Sequence, residues 1–171
     1  MFAGVSFRVS AGEALLVRGP NGAGKSSLLR LLAGLLRAEG GALANPFTTA
    51  FLGHDNALKP DRTLGAELRF WAKLDGAPDR VDAALDRFDL APLADLPVRI
   101  LSSGQKRRAA LARTWASGAK LWLLDEPSVG LDAANIDRLA AAMRDHRAGG
   151  GLVVATSHVP LGLDDAAELA L

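Results

Sequence analysis

The stretch from Gly19 to Ser27, GPNGAGKSS, limits what this chain can fold into more than any other. It fits the pattern G-x-x-x-x-G-K-[ST], with Gly19, Gly24, Lys25 and Ser26 at the required positions, and joins the apolar run Ala14 to Val17 to the amphipathic run Ser27 to Leu36. The order is strand, loop, helix. Gly19, Gly22 and Gly24 lack a Cβ, so the loop through Pro20, Asn21 and Ala23 can take positive φ and turn several backbone N–H groups toward one phosphate. A helix starting near Lys25, Ser26 and Ser27 adds unpaired N–H groups and about half a positive charge at its N-terminus. Lys25 is spaced to reach the β and γ phosphates, and the Ser26 hydroxyl to complete a Mg²⁺ coordination shell. A chance glycine-rich turn would carry neither flank. The dinucleotide pattern G-x-G-x-x-G fails because its third glycine would fall at Ser27.

Composition narrows the rest. The 171 residues suit one domain, 1–171, with a core of its own. There is no cysteine, which excludes thiol catalysis, thiolate metal sites and disulfides and makes a reducing compartment the default. A formal net charge of +1 provides no global field for nucleic acid or anionic lipid. Lys106, Arg107 and Arg108 form a local basic cluster, read here as a solvated helix face. No apolar run approaches the ~18 residues of a membrane span, and the first residues lack a signal pattern. A soluble chain is expected, with any membrane role exercised through a partner.

Taken in order, Val5 to Val9 alternates like a strand and Ala14 to Val17 is a continuous apolar strand, with a turn at Ser10-Ala11-Gly12 between them. A helix over Ser27 to Leu36 and a strand over Phe47 to Leu52 follow. GHDNALKP, residues 53 to 60, is a loop. Thr63 caps a helix running to Leu74, and a second helix covers Asp79 to Phe88. Residues 91 to 101 are an irregular connector. LSSGQKRRAALART opens a helix at Ser102 or Ser103. Leu121 to Leu124 is a buried parallel strand that delivers Asp125 and Glu126 at its carboxyl end, the edge where α/β sheets bind ligands. A helix over Ala133 to His146, a buried strand over Leu152 to Ala155 and a tail from Leu163 complete the chain.

Four apolar residues followed by Asp125, downstream of a phosphate loop, make the carboxylate that holds Mg²⁺ through water in nucleotide hydrolases. Glu126 points elsewhere and can take a proton from an attacking water. Ser102, Ser103, Gly104 and Gln105 alone read as a polar helix start. Beside a phosphate loop they read as a second anion-binding helix end, which one nucleotide cannot share with Gly19 to Ser26 on a single domain. Two copies facing head to tail solve that geometry.

These motifs resemble those of the nucleotide-binding domains of ATP-binding-cassette proteins. LSSGQ resembles that family's LSGGQ signature, LLDEP its second acidic motif, Ser128 to Asp132 its D-loop and His158 its switch histidine. The resemblance implies an α/β P-loop NTPase fold: a mainly parallel sheet flanked by helices, a helical subdomain over about 60–115, and an antiparallel β edge shortened at its N-terminal end. It implies ATP and Mg²⁺ as ligands. Glu126 and His158 act at the γ-phosphate, Ser26 and Asp125 at the metal, and Ser102 to Gln105 on the ATP of the other copy. Where the family carries a glutamine after its third strand, this chain reads His54-Asp55-Asn56, and Asp55 is taken as the equivalent metal-side residue. By the same resemblance an upstream strand and an adenine-stacking aromatic are expected ahead of the segment that begins here at Met1, so the chain reads as short by one strand. Phe2 is weighed as a substitute stacker against an ordinary core role.

Within the family, GHDNALKP, LRFWA, RRAALART and LWLLDEP resemble the ATP-binding subunits of bacterial haem exporters of cytochrome c maturation. That likeness implies a head-to-tail ATPase pair, peripheral to the cytoplasmic face of the inner membrane. Integral-membrane permease subunits would dock near Phe70, Trp71 and the 53–60 loop, with no nucleic acid bound and no segment inserted in the bilayer. Trp71 and Trp122 read as core or interface residues. The alternatives are the ATPase of another small exporter, a soluble non-transport cassette ATPase, or a binding module without hydrolysis.

Overall fold

The apolar runs assemble into one parallel sheet. A computed structural model describes residues 2–171. Its elements are β1 (Ala14–Arg18), α1 (Lys25–Leu32), β2 (Thr49–Leu52), α2 (Leu64–Leu74), α3 (Val81–Arg87), α4 (Ser103–Ala116), β3 (Leu121–Asp125), α5 (Ala133–Ala148), β4 (Leu152–Thr156) and β5 (Ala167–Ala170). Short 3₁₀ turns lie at Pro78–Arg80, Ala91–Leu93 and Val98–Ile100. The strand order is β2-β3-β4-β1-β5, and every pairing is parallel.

Two-sided burial explains why the central strands are apolar without alternation. Leu15, Val17, Leu121, Leu123, Leu152 and Val154 face α1. Ala14, Leu16, Trp122, Leu124, Val153 and Ala155 face the opposite way, into a core shared with α2, α3, α4 and α5. With all strands parallel, the loops that leave their carboxyl ends emerge along one edge. Helices α2, α3 and α4 pack on one another and are continuous with that second core through Leu68, Leu85, Phe88 and Leu111.

Local signals account for most boundaries. The Thr63 hydroxyl caps α2 by accepting the Ala66 N–H at 3.3 Å. Ser102 and Gln105 form a reciprocal capping box at the start of α4. Helix α1 covers Lys25–Leu32 rather than 27–36. It ends early because Gly34, at φ 73°, closes a C-terminal motif in which the Gly34 N–H donates to Leu31 and the Leu35 N–H to Arg30. The helix expected over 79–88 divides into a 3₁₀ turn at Pro78–Arg80 followed by α3.

Two expectations at the sheet's periphery are corrected. Residues 5–9 alternate as foreseen, with Val5, Phe7 and Val9 half-buried and Ser6 and Arg8 exposed, yet they form no ladder. No neighbouring strand among the described residues receives their N–H groups, so the antiparallel edge is absent there. Conversely, the segment read as a tail contains β5, paired with β1 from Leu15↔Ala167 to Arg18↔Ala170. It is short and mostly exposed, so it carries no apolar run to announce it.

On the strand-start side of the sheet, His146 stacks on Trp122 at 3.9 Å with rings 9° apart, and its Nε2 lies 3.1 Å from the Lys120 carbonyl. Burial lowers the His146 pKa below 6.5; the backbone contacts at Leu152 and Lys120 oppose that, while the positive charges of Lys120 and Arg80 add to it. As pH falls through 6.5 the unfolded chain takes up a proton that the folded chain resists, so stability decreases on acidification. The urea midpoint is expected to fall between about pH 7.5 and pH 5.5, and the His146→Phe variant, which keeps the stack, to show a smaller fall.

Candidate active site

The carboxyl edge of the sheet holds a cavity of about 430 Å³. Asn21, Gly22, Gly24, Lys25, Ser26 and Ser27 line it from the glycine-rich loop, Asp125 and Glu126 from the end of β3, and His158 from beyond β4. Gly24 caps α1 in a left-handed conformation, φ 106°, with no side chain occupying the helix end. A Cβ there would lie 2.6 Å from the Phe2 ring, and a Cβ on Gly19 2.7 Å from the Leu171 carbonyl oxygen. Both glycines are therefore required by close approach as well as by φ. The Lys25 ammonium curls over the loop, donating to the carbonyls of Gly19 at 2.8 Å and Pro20 at 3.1 Å. Phe2 packs against Gly24 and the α1 face, the core role weighed for it.

Asp125 is almost wholly buried, and its Oδ1 accepts the Thr156 hydroxyl at 2.9 Å. Glu126 sits in the left-handed region, φ 47°, uncommon for a residue with a side chain. Its Oε2 accepts the His158 N–H at 3.3 Å. Its buried Oε1 lies 3.4 Å from His158 Nε2 without hydrogen-bond geometry and has no other partner. A buried acceptor left open beside a cavity is suited to a water or a bound ligand.

The oxygens of Ser26 and Asp125 suit Mg²⁺, a hard cation. Among the described residues no three acidic, histidine or cysteine side chains gather as a metal cluster. The protein would supply only part of a shell completed by phosphate oxygens and water.

Not every expected residue arrives. Asp55 is exposed and does not line the cavity, whereas His54, one residue earlier, does. The loop leaves β2 so that position 54 faces the phosphate side and 55 turns away. Ser102, Ser103, Gly104 and Gln105, read as meeting the ATP of the other copy, lie outside this cavity. Gly104 instead abuts the loop after Glu126, where a Cβ would stand 2.9 Å from the Gly130 carbonyl.

The basic cluster is corrected as well. Arg107 is only 4% exposed and bonds the carbonyls of Gly53, Asp125, Glu126 and Pro127. Burial lowers its pKa, and the nearby charges of Asp125 and Glu126 pull it back up. Arg108 donates to the Phe88 and Asp89 carbonyls. Sequence reasoning passed over His54, which lines the cavity, and Arg107 and Thr156, which bond the 125–127 turn beside it.

Beside the site, Glu67 is fully buried and accepts from the Lys59 N–H, Arg62 Nη1 and Trp71 Nε1 at 3.2, 3.2 and 2.8 Å. The Arg113 guanidinium lies 3.9 Å above the Trp71 ring and donates to the Ala57 carbonyl. The 53–60 loop and α2 are thereby tied into one surface.

A phosphate cradle at a helix start, a buried Asp125 and a half-buried Glu126 at the end of β3, and a polar helix start outside the cavity define an ATPase of the cassette type. The family model for ABC transporters matches residues 2–129, and the chain belongs to that family. It is 54% identical to the cytochrome c biogenesis ATP-binding export protein CcmA of Gluconobacter oxydans, over 95% of this chain and 76% of that protein. It is 47% identical to the protein of the same name from Paramagnetospirillum magneticum, over 100% and 87%. Among solved structures, the ATP-binding subunit of an ABC transporter superposes with TM-score 0.88 at 24% identity, covering 98% of this chain and 78% of that one. An ABC transporter assigned to the metal-chelate type, facing inward, gives 0.84 at 30% identity, over 99% and 73%.

Gly24→Ala tests the cradle. The strained φ and the clash with Phe2 are expected to lower stability by about 1–3 kcal/mol. Binding of a fluorescent ATP analogue is expected to weaken by roughly tenfold or more, since the backbone N–H groups can no longer converge. Thermal unfolding and fluorescence titration measure the two effects.

Proposed function

We propose that this chain is the ATP-hydrolysing subunit of the exporter that serves c-type cytochrome biogenesis, working as a head-to-tail pair on integral-membrane subunits at the cytoplasmic face of the bacterial inner membrane. The relatives named CcmA support the export role. The observation that carries the ATPase chemistry is that Lys25, Ser26, Asp125, Glu126 and His158 share one cavity while Ser102 to Gln105 stand outside it. No helix among the described residues is long and apolar enough to cross a membrane. Contact with the bilayer is therefore assigned to partners, which meet the Phe70, Trp71 and 53–60 surface on the helical subdomain of about 60–115.

In this proposal Lys25 and the loop amides neutralise the phosphates. Mg²⁺, held by Ser26 and through water by Asp125, would offset charge on the β and γ oxygens. Glu126 accepts a proton from a water whose oxygen bonds the γ-phosphorus as the bond to the ADP oxygen breaks, releasing ADP and phosphate. His158 holds the γ-phosphate and the Glu126 carboxylate in mutual reach. Ser102 and Gly104 of one copy close over the ATP cradled by the other, and Gln105 and Ser103 shape that helix end.

Glu126→Gln is expected to slow hydrolysis by ~10²–10⁴ while leaving ATP binding intact. With ATP that variant should scatter light as a pair of chains and copurify with integral-membrane subunits. Unchanged turnover would remove Glu126 from its role, and single copies at saturating ATP would remove the pairing.

A further inference from the structure

The turn that carries Asp125 and Glu126 is gripped from two sides. Thr156, wholly buried at the end of β4, stands opposite Asp125 in the sheet register. Its hydroxyl accepts the Glu126 N–H at 2.9 Å and donates its proton to Asp125 Oδ1 at 2.9 Å. One hydroxyl thus fixes both the backbone of one carboxylate residue and the side chain of the other. From the other side, Arg107 on α4 donates to the carbonyls of Asp125 at 2.8 Å, Glu126 at 2.7 Å and Pro127 at 3.2 Å. The same guanidinium reaches the Gly53 carbonyl at 2.9 Å and Asn56 Oδ1 at 3.3 Å. Its planar fork can hold three successive carbonyls in one arrangement, which a lysine ammonium cannot. Glu126 keeps its left-handed φ of 47° inside that grip.

We infer that Thr156 and Arg107 are positioning residues for hydrolysis, fixing the 125–127 turn so that the Glu126 carboxylate faces the attacking water, and that Arg107 couples this turn to α4 and to Gly53. The inference rests on the role of Glu126 given under Proposed function. Helix α4 starts with Ser102 to Gln105, which meet the other copy's ATP, and Gly53 opens the loop that meets the membrane subunits. A shift of either reaches the turn through one side chain.

The test compares Thr156→Val, Thr156→Ser, Arg107→Lys and Arg107→Gln in the full chain by ATPase kinetics and titration with a fluorescent ATP analogue. Thr156→Val removes the hydroxyl with little change of shape and is expected to lower kcat by about 10- to 100-fold, with nucleotide affinity within about threefold. Thr156→Ser should restore most of the rate. Both Arg107 variants should lose kcat on the same scale, again with affinity held. If they prove too unstable to assay, the Thr156 pair still decides. In a Glu126→Gln background, Thr156→Val should slow turnover by a clearly smaller factor than in the native chain, because of the two carboxylates it positions only Asp125 remains. A cooperatively folded Thr156→Val variant with normal kcat, a serine that fails to rescue, or kcat and affinity falling together would overturn the inference. Should Glu126→Gln itself turn over normally, the fault lies with the role of Glu126; a slow Glu126→Gln beside a normal Thr156→Val places it with the positioning.

Discussion

Parallel pairing is the constraint on which everything else in this molecule depends. Because β1, β2, β3 and β4 run the same way, the phosphate loop, the loop from Gly53, the Asp125–Glu126 turn and the segment bearing His158 all leave from one edge. Residues separated by more than a hundred positions then face a single space without any of them being designed for contact in sequence. The apolar interior of the sheet is what fixes that edge. Slipping any strand by one residue would turn its inward side chains to the wrong face and break both cores together.

The second organising feature is the use of buried polar side chains as brackets. Arg107 bonds the backbone carbonyls of Gly53, Asp125, Glu126 and Pro127, and Glu67 accepts from the Lys59 N–H and from the side chains of Arg62 and Trp71. A buried ion without partners would be strongly destabilising, so each bracket is effectively all or nothing. Satisfied in full, it makes an irregular loop as well defined as a helix. The site is thus rigid where chemistry needs positioning, even though its backbone lies in turns.

What the sequence made readable follows from the same physics. The phosphate loop, the Asp125–Glu126 pair and the caps at Thr63 and Ser102 were legible because their chemistry is local: a few contiguous residues contain the whole reason for the structure. Thr156 was not, because its two bonds depend on the register that sets it opposite Asp125, and register is a property of two strands. Arg107 was misread for a related reason. A Lys-Arg-Arg run looks the same on a helix whether that helix is bathed or packed, and only the surrounding carbonyls tell Arg107 from a solvated cation. That His54 and not Asp55 lines the cavity was likewise not legible, since the direction in which a loop leaves its strand decides which neighbour faces it. β5 went unseen because Ala167–Ala170 lies exposed at the sheet edge and carries no apolar run.

The bracket at Glu67 has a mechanical consequence. Its carboxylate pins the Lys59 amide, the Arg62 guanidinium and the Trp71 indole to one point, so this patch has no soft joint at which to bend. A push on any part of it is therefore shared by Lys59, Arg62 and Trp71 together, and through Arg113 by α4, instead of being dissipated as loop flexing.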